Sequence, residues 1–242
     1  MKRKSSEYKS RAREMLLGNY SVPISAFILI SLITILINLP FIYFNTETST
    51  MAIVISYVSD FFISLISSVL TVGYSYLILN MTRKKEYKSS DIFYAFKNQP
   101  DKFIIASAII SAICFIISLP LTIIATFDIE IFPTAMSPTI INVGISVITL
   151  IFTTYVRLIL SQVYFIMIDN PGIAVTEAIK TSGRLMAGNV GRLIYIALSF
   201  IPLGILGIMS CYIGFLFVVP YIQATLVFFY LDLIGEYDIY NA

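Results

Sequence analysis

Two charged residues stand where charge is costly. Asp60 lies about eight residues into one long apolar run, and Arg157 lies inside another. An ionised side chain at the centre of a bilayer costs about 2.5–3.5 kcal/mol on insertion scales. Each should therefore face a bundle interior or water. Paired, they could line a substrate pathway. Apart, they would take separate interfacial or bundle-facing positions. At 1.5 Å per residue, Asp60 sits about 12 Å and Arg157 about 25 Å from the outer ends of their runs. That difference weighs against a simple pair.

Polar residues gather around Arg157: Thr153, Thr154, Tyr155, Ser161, Gln162 and Tyr164. Thr71, Tyr74, Ser75 and Tyr76 form a comparable stretch, and Gln223 and Thr225 a smaller one. A polar ligand or water-filled vestibule could use them. Hydrogen bonding between helices, typically about 0.6 kcal/mol each, would use them equally well.

Catalytic chemistry finds little support. Histidine is absent, which removes the commonest general base and metal ligand. Cys114 and Cys211 have no CxxC partner and read as small buried hydrophobes. No HExxH, GxSxG, P-loop or paired-carboxylate motif occurs. Two-aspartate intramembrane proteolysis needs a second mid-span Asp. We therefore expect no enzyme activity, no cofactor and no metal.

The elements that must position these residues follow from composition. Of 242 residues, 58% are hydrophobic and only 12% charged, about half the charge of a soluble domain. Mean hydropathy is +0.88. A soluble fold of this length could not cover its surface with so little charge. Six apolar stretches are long enough, or nearly so, to cross about 30 Å of hydrocarbon. They run over residues 22–44, 52–79, 103–125, 140–168, 193–209 and 215–231. The first is too long for a signal-peptide core and reads as a retained span.

Charge placement orients them. Fifteen of the sixteen Lys and Arg flank the first span's start, the second-to-third loop or the fourth-to-fifth loop. Arg157 is the sixteenth. The other-side loops, 45–51 and 127–139, contain only Glu47, Asp128 and Glu130. The excess of cations on one side predicts both termini in the cytoplasm.

The chain also reads as one unit used three times: a short amphipathic segment, a residue pair ending in Asn, then two spans. The pairs are Gly18-Asn19, Lys97-Asn98 and Gly188-Asn189, and the even spans end in Asn80, Asp169 and Asp232. Likeness among apolar spans is cheap, so the repeat stands as an expectation. In the third unit Asn170 is expected to cap a helix with Pro171 at its first position. Val175, Ala178, Ile179, Ser182 and Met186 form one face of it, and Thr176, Glu177, Lys180, Thr181 and Arg184 the other. Gly188 marks a left-handed stop. In the second unit Ser90 could cap a turn presenting Ile92, Phe93 and Phe96. In the first, Tyr8, Ala12, Met15 and Leu16 recur at helical spacing. Such segments should lie in the cytoplasmic interface, apolar face toward lipid or the bundle. They would anchor on anionic headgroups, bind a partner, or set each hairpin's entry angle.

The order Asp169-Asn170-Pro171, Ser182-Gly183-Arg184-Leu185-Met186-Ala187-Gly188-Asn189, Ser199-Phe200-Ile201, Gly214, Pro220-Tyr221 and Phe228-Phe229-Tyr230 resembles a family of bacterial integral membrane proteins. That family is catalogued as domain of unknown function 975. Leu17-Gly18-Asn19 and Asp91-Ile92-Phe93 fit it more loosely. The chain departs from the pattern in lacking Trp, with Leu203 and Phe217 near the expected Trp positions. The resemblance implies an intact multi-span membrane protein and brings no catalytic residue or ligand.

The sequence thus points to one all-α membrane domain over residues 1–242 with six transmembrane helices, compatible with three parallel repeats of a helical hairpin preceded by a cytoplasmic amphipathic segment. The expected role is a non-catalytic accessory or scaffold protein of the bacterial cytoplasmic membrane. Small-solute or lipid transport is the alternative. Expected partners are the bilayer, anionic headgroups on the cytoplasmic side, and a membrane protein or second copy, with no nucleic acid. The candidate functional residues are Asp60 and Arg157 in the spans, and Asp169, Asn170, Pro171, Arg184, Gly188 and Asn189 at the cytoplasmic side.

Overall fold

A short amphipathic helix opens the chain, and it is not left on the surface. In the computed structural model, which describes residues 3–42, 44, 49–127 and 138–239, α1 (Ser5–Leu16) buries Tyr8, Ala12 and Leu16. Its four-residue spacing puts these three on one stripe. That stripe packs on the last helix. Most of both expected outer loops, with Glu47, Asp128 and Glu130, lies outside the described residues.

The chain is all-α, with no strand among the described residues. Among the described residues, six helical segments are long and apolar enough to cross a membrane. The first is α2 (Ser21–Asn38), extended by a 3-10 turn at Leu39–Phe41 that holds Pro40. The second is α3 (Thr50–Thr82), capped by Ser49, whose hydroxyl accepts from the Ala52 N–H at 3.2 Å. A 3-10 turn (Ser89–Phe93) and α4 (Tyr94–Lys97) lead to the third, α5 (Pro100–Phe127). The fourth is broken into α6 (Pro138–Ile159) and α7 (Val163–Asp169). The amphipathic α8 (Val175–Met186) follows. The fifth is broken into α9 (Val190–Leu198) and α10 (Ile201–Met209), and the sixth is α11 (Phe215–Leu233).

Burial is concentrated in α3 and α11, where 56% of each span window is buried, against 11% in the first span and 6% in the fourth. It is also concentrated at one end. At 1.5 Å per residue, the 33 residues of α3 extend about 50 Å, some 20 Å beyond a hydrocarbon core. The surplus is Leu70–Thr82, and nearly all of it is buried. It belongs to one core with Leu16, Ile92, Ala95, Ile166, Met186, Phe229 and Leu231. Hereafter this is the charged end, because the basic segments lie there. Toward the opposite end the spans expose Val54, Val58, Phe62, Val147, Leu150 and Ile151. An apolar, exposed surface there suits a lipid solvent.

Both broken spans have a local cause. Pro202 cannot donate to the carbonyl four residues back, so the fifth span parts around Ser199 and Phe200. The carbonyl four residues before Pro202 is that of Leu198; its neighbour, the Ser199 carbonyl, accepts from Lys9 Nζ of α1 at 2.9 Å. In the fourth span the Ile159 carbonyl accepts from the Ser182 hydroxyl of α8 at 2.6 Å. A side chain inserted into the helix ladder is a recognised cause of such breaks. Each amphipathic helix thus places one polar group on the open backbone of a span.

The three units share local geometry. Leu17 (φ −59°, ψ 120°) precedes Gly18 (φ 81°), and Ala187 (φ −58°, ψ 118°) precedes Gly188 (φ 73°). Both are type II turn signatures, which need φ > 0 at the second central residue. Asn19 N–H closes one on the Leu16 carbonyl and Asn189 N–H the other on that of Met186, both at 2.9 Å. The side-chain amides of Asn19, Asn98 and Asn189 each donate to the carbonyl four residues back. In the middle unit Gln99 carries the positive φ, after the Asn rather than before it and so two positions later.

Several expectations need correction. Asn170 does not open α8. Its N–H closes α7 on the Ile166 carbonyl at 2.9 Å, and α8 starts only at Val175, after Ala174 in extended backbone. A residue before proline is pushed out of helical conformation, and Gly172 next to Pro171 favours a turn. In the second unit the cap is the Asp91 carboxylate, accepting from the Lys88 N–H at 2.8 Å, rather than Ser90. Phe96 is exposed while Ile92 and Ala95 are buried. Helix α5 continues past Pro120. Cys114 is buried as expected, but Cys211 is exposed, in a turn where it and Tyr212 both have positive φ.

The apolar faces of α1 and α8 meet the bundle, with Leu16 and Met186 fully buried. Leu16→Ala and Met186→Ala should each lower stability by about 2–5 kcal/mol. Thermal unfolding in detergent checks this against Thr176→Ala on the exposed face of α8, which should be silent.

Candidate functional site

At the charged end, two partly buried carboxylates tie together α1, α3, α7, α9 and α11. Asp169, the last residue of α7, accepts both arms of the Arg83 guanidinium, at 2.6 and 2.9 Å. Arg83 directly follows α3, and its fork geometry matches a carboxylate. The same guanidinium donates to Glu236, beyond α11, at 2.9 Å. Tyr230 of α11 donates its hydroxyl to Asp169 at 2.8 Å and stacks on Phe165 at 5.0 Å. The Arg83 and Asp169 side chains retain only 10% and 16% exposure. The Asp169 hydrogen bonds hold the Arg83 guanidinium above its ordinary pKa despite burial.

Asp232 forms the second centre. Arg192 of α9 donates to its Oδ2 at 2.6 Å, and the Tyr8 hydroxyl of α1 donates to the same oxygen at 2.7 Å. Arg192 also donates to the Tyr8 oxygen and, at 2.9 Å, to Asn189 Oδ1. Arg3 Nε lies 3.3 Å from Asp232 Oδ1, and its guanidinium rests 4.2 Å above the Tyr237 ring. Tyr230 and Asp232 are two residues apart, about 200° around α11. One helix therefore serves both centres from opposite sides.

The network fixes charge and position. Its carboxylates are taken up by guanidinium and phenol donors, and no group of three or more His, Cys, Asp or Glu residues suited to a metal occurs among the described residues. Burial, and next the Asp232 hydrogen bond, push the Tyr8 phenol well above its ordinary value. The folded chain thus holds that proton more tightly than the unfolded one. The stabilisation is complete below about pH 10, the unfolded value, and is lost as pH rises through the folded value. Tyr8→Phe should lower stability at neutral pH and remove part of the alkaline loss. Thermal unfolding as a function of pH reads both.

The sequence-derived candidates divide. Asp169 is central. Gly188 and Asn189 form the turn that presents Arg192. Asn170 and Pro171 border the network, and the Pro171 carbonyl accepts from Lys102 Nζ at 2.8 Å. Arg184 is exposed on the outer face of α8. Asp60 and Arg157 are not brought together: both are exposed, and neither forms an ion pair among the described residues. Counted along α3 and α6, they lie about 15 and 28 Å from the ends opposite the charged one.

Most of the polar stretches are spent on internal bonds. Gln223 donates to the Ser75 hydroxyl at 2.7 Å, joining α11 to α3. Ser107 and Tyr164 bond at 3.0 Å, joining α5 to α7. Thr71, Thr153 and Thr225 bond back to their own helices. Sequence reasoning missed Arg83, Arg192, Tyr8, Tyr230 and Glu236 as network partners. The available signal was the pair Asp169 and Asp232, two acids closing spans on a side crowded with cations.

The sequence model of a family described as protein of unknown function (DUF975) matches residues 1–236. No curated protein and no solved structure matches.

Proposed function

We propose that this chain, which belongs to the DUF975 family, works as a non-catalytic accessory or scaffold protein of the bacterial cytoplasmic membrane. Its charged end would face the cytoplasm and serve as a docking platform. The observation that carries this reading is the placement of order. The buried core and both ionic centres gather at one end, while α8 keeps Glu177, Lys180 and Arg184 exposed there. A rigid surface with an outward polar face suits recognition of a partner. Since Ala178 and Met186 are buried, a partner would take the polar face of α8, not the apolar one.

The orientation is testable with reporters: one fused after Thr48 should read outside, and one after Lys88 inside. The platform is testable with a Glu177→Ala/Lys180→Ala/Arg184→Ala variant. It should keep its membrane level and thermal stability yet lose a co-isolated membrane protein. Retention of the same partners would count against the platform.

Small-solute or lipid transport is the second reading, favoured by the two interrupted spans, since discontinuous helices recur at transporter sites. Cysteine accessibility along residues 71–76 and 153–164 separates the two. Water-reachable positions throughout would favour transport, and protection at the buried Tyr74 and Ser75 the platform.

A further inference from the structure

A cleft of about 620 Å³ opens between α1 and the first turns of α9. Arg3, Lys4, Lys9 and Arg192 line it with Ser5, Ser6 and Tyr8, and no Asp or Glu is among its described lining residues. Arg192 and Arg3 are matched by Asp232 and Asp238. Lys4 and Lys9 have no ion-pair partner among the described residues. Lys9 is the more constrained. Its ammonium donates to the Ser199 carbonyl and sits 4.2 Å over the Phe200 ring. A half-buried ammonium without a counter-ion is electrostatically unbalanced, and an anion entering the cleft would correct that. At Gly191 the space is open, since a Cβ built there meets nothing within 4 Å. Beyond it, Tyr195 and Leu198 of the fifth span are 66% and 58% exposed. Cations at the span's entry with an apolar ridge running on along it match one ligand shape: a charged head with acyl chains.

We propose that this cleft binds the phosphate of an anionic phospholipid, held between Lys4 and Lys9, with its chains along Tyr195 and Leu198. The proposal rests on the charged end facing the cytoplasmic leaflet, and narrows a general headgroup affinity to one site. The test uses the full chain in nanodiscs of phosphatidylcholine containing photoactivatable phosphatidylglycerol, with adducts mapped by mass spectrometry. Adducts should fall on α1 and α9. They should drop roughly tenfold in Lys4→Ala/Lys9→Ala and hold in Lys180→Ala/Arg184→Ala. Lys4→Ala alone, at an exposed position, should still cut them several-fold, which covers a folding defect from Lys9. Inorganic phosphate should fail to compete. Equal labelling of all variants would overturn the site, and competition by phosphate would make it a soluble-anion site instead. Either failure with the Lys88 reporter still inside leaves the orientation standing.

Discussion

Replacing Gly73 with alanine should undo the docking of the Ser89–Phe93 turn and destabilise the chain more than any other single methyl. The turn at Ser89–Phe93 lies directly on α3, backbone against backbone. A Cβ on Gly73 would sit 2.6 Å from Ile92 Cα and closer still to its carbonyl. Neither partner is a flexible side-chain tip, so relief requires moving the turn. Ile92 and Ala95 are both fully buried in the core that this turn closes, so moving it also opens that core. Overpacking usually costs about 1–3 kcal/mol. Here the clash is with main chain, and we expect about 3 kcal/mol or more. Gly204→Ala is the control: it also lies within a helix, and its Cβ meets nothing within 4 Å. That change should be silent or stabilising by up to about 1 kcal/mol. Thermal unfolding of both variants, with proteolysis mapped to residues 83–99, reads the difference.

Arg83→Met should have the next largest effect. It leaves Asp169 and Glu236 without their shared cation, in surroundings where Asp169 keeps only 16% exposure. Removing one partner of a buried pair costs about 3–5 kcal/mol, much of it from the charge left behind, and for this partly buried pair the low end, about 3 kcal/mol, is expected. The pair with Asp169→Leu should therefore recover a large part of that loss, because the double variant has no stranded carboxylate at that position. A double-mutant cycle in detergent measures the coupling, expected at more than about 1 kcal/mol. Arg11→Met, whose nearest acid Glu14 is 60% exposed, should cost under about 1 kcal/mol.

Most of the architecture was legible because lipid imposes simple rules. Run length located all six spans, and the helical spacing of Tyr8, Ala12 and Leu16 foretold the stripe that α1 buries. Glycine chemistry foretold the left-handed Gly188. What escaped depends on contacts between distant segments. Lys9 meeting the Ser199 carbonyl, 190 residues away, leaves no local trace, and neither does Arg83 meeting Asp169. Cations read only as topology signals concealed their ionic partners. Asp60 and Arg157 drew attention because charge inside a span is rare; both are exposed, and the ion pairs among the described residues lie elsewhere. Asn170 misled because an Asn–Pro pair suits a helix start as well as the end of the preceding one.

The central claim is that the charged end is a cytoplasmic docking platform. In-cell photo-crosslinking tests it most directly, with a photoreactive residue at Lys180 or Arg184 compared with one at Tyr57 on the opposite half. The account predicts discrete, reproducible adducts to a membrane protein from Lys180 and Arg184, and lipid adducts alone from Tyr57. Lipid alone from all three positions would contradict it.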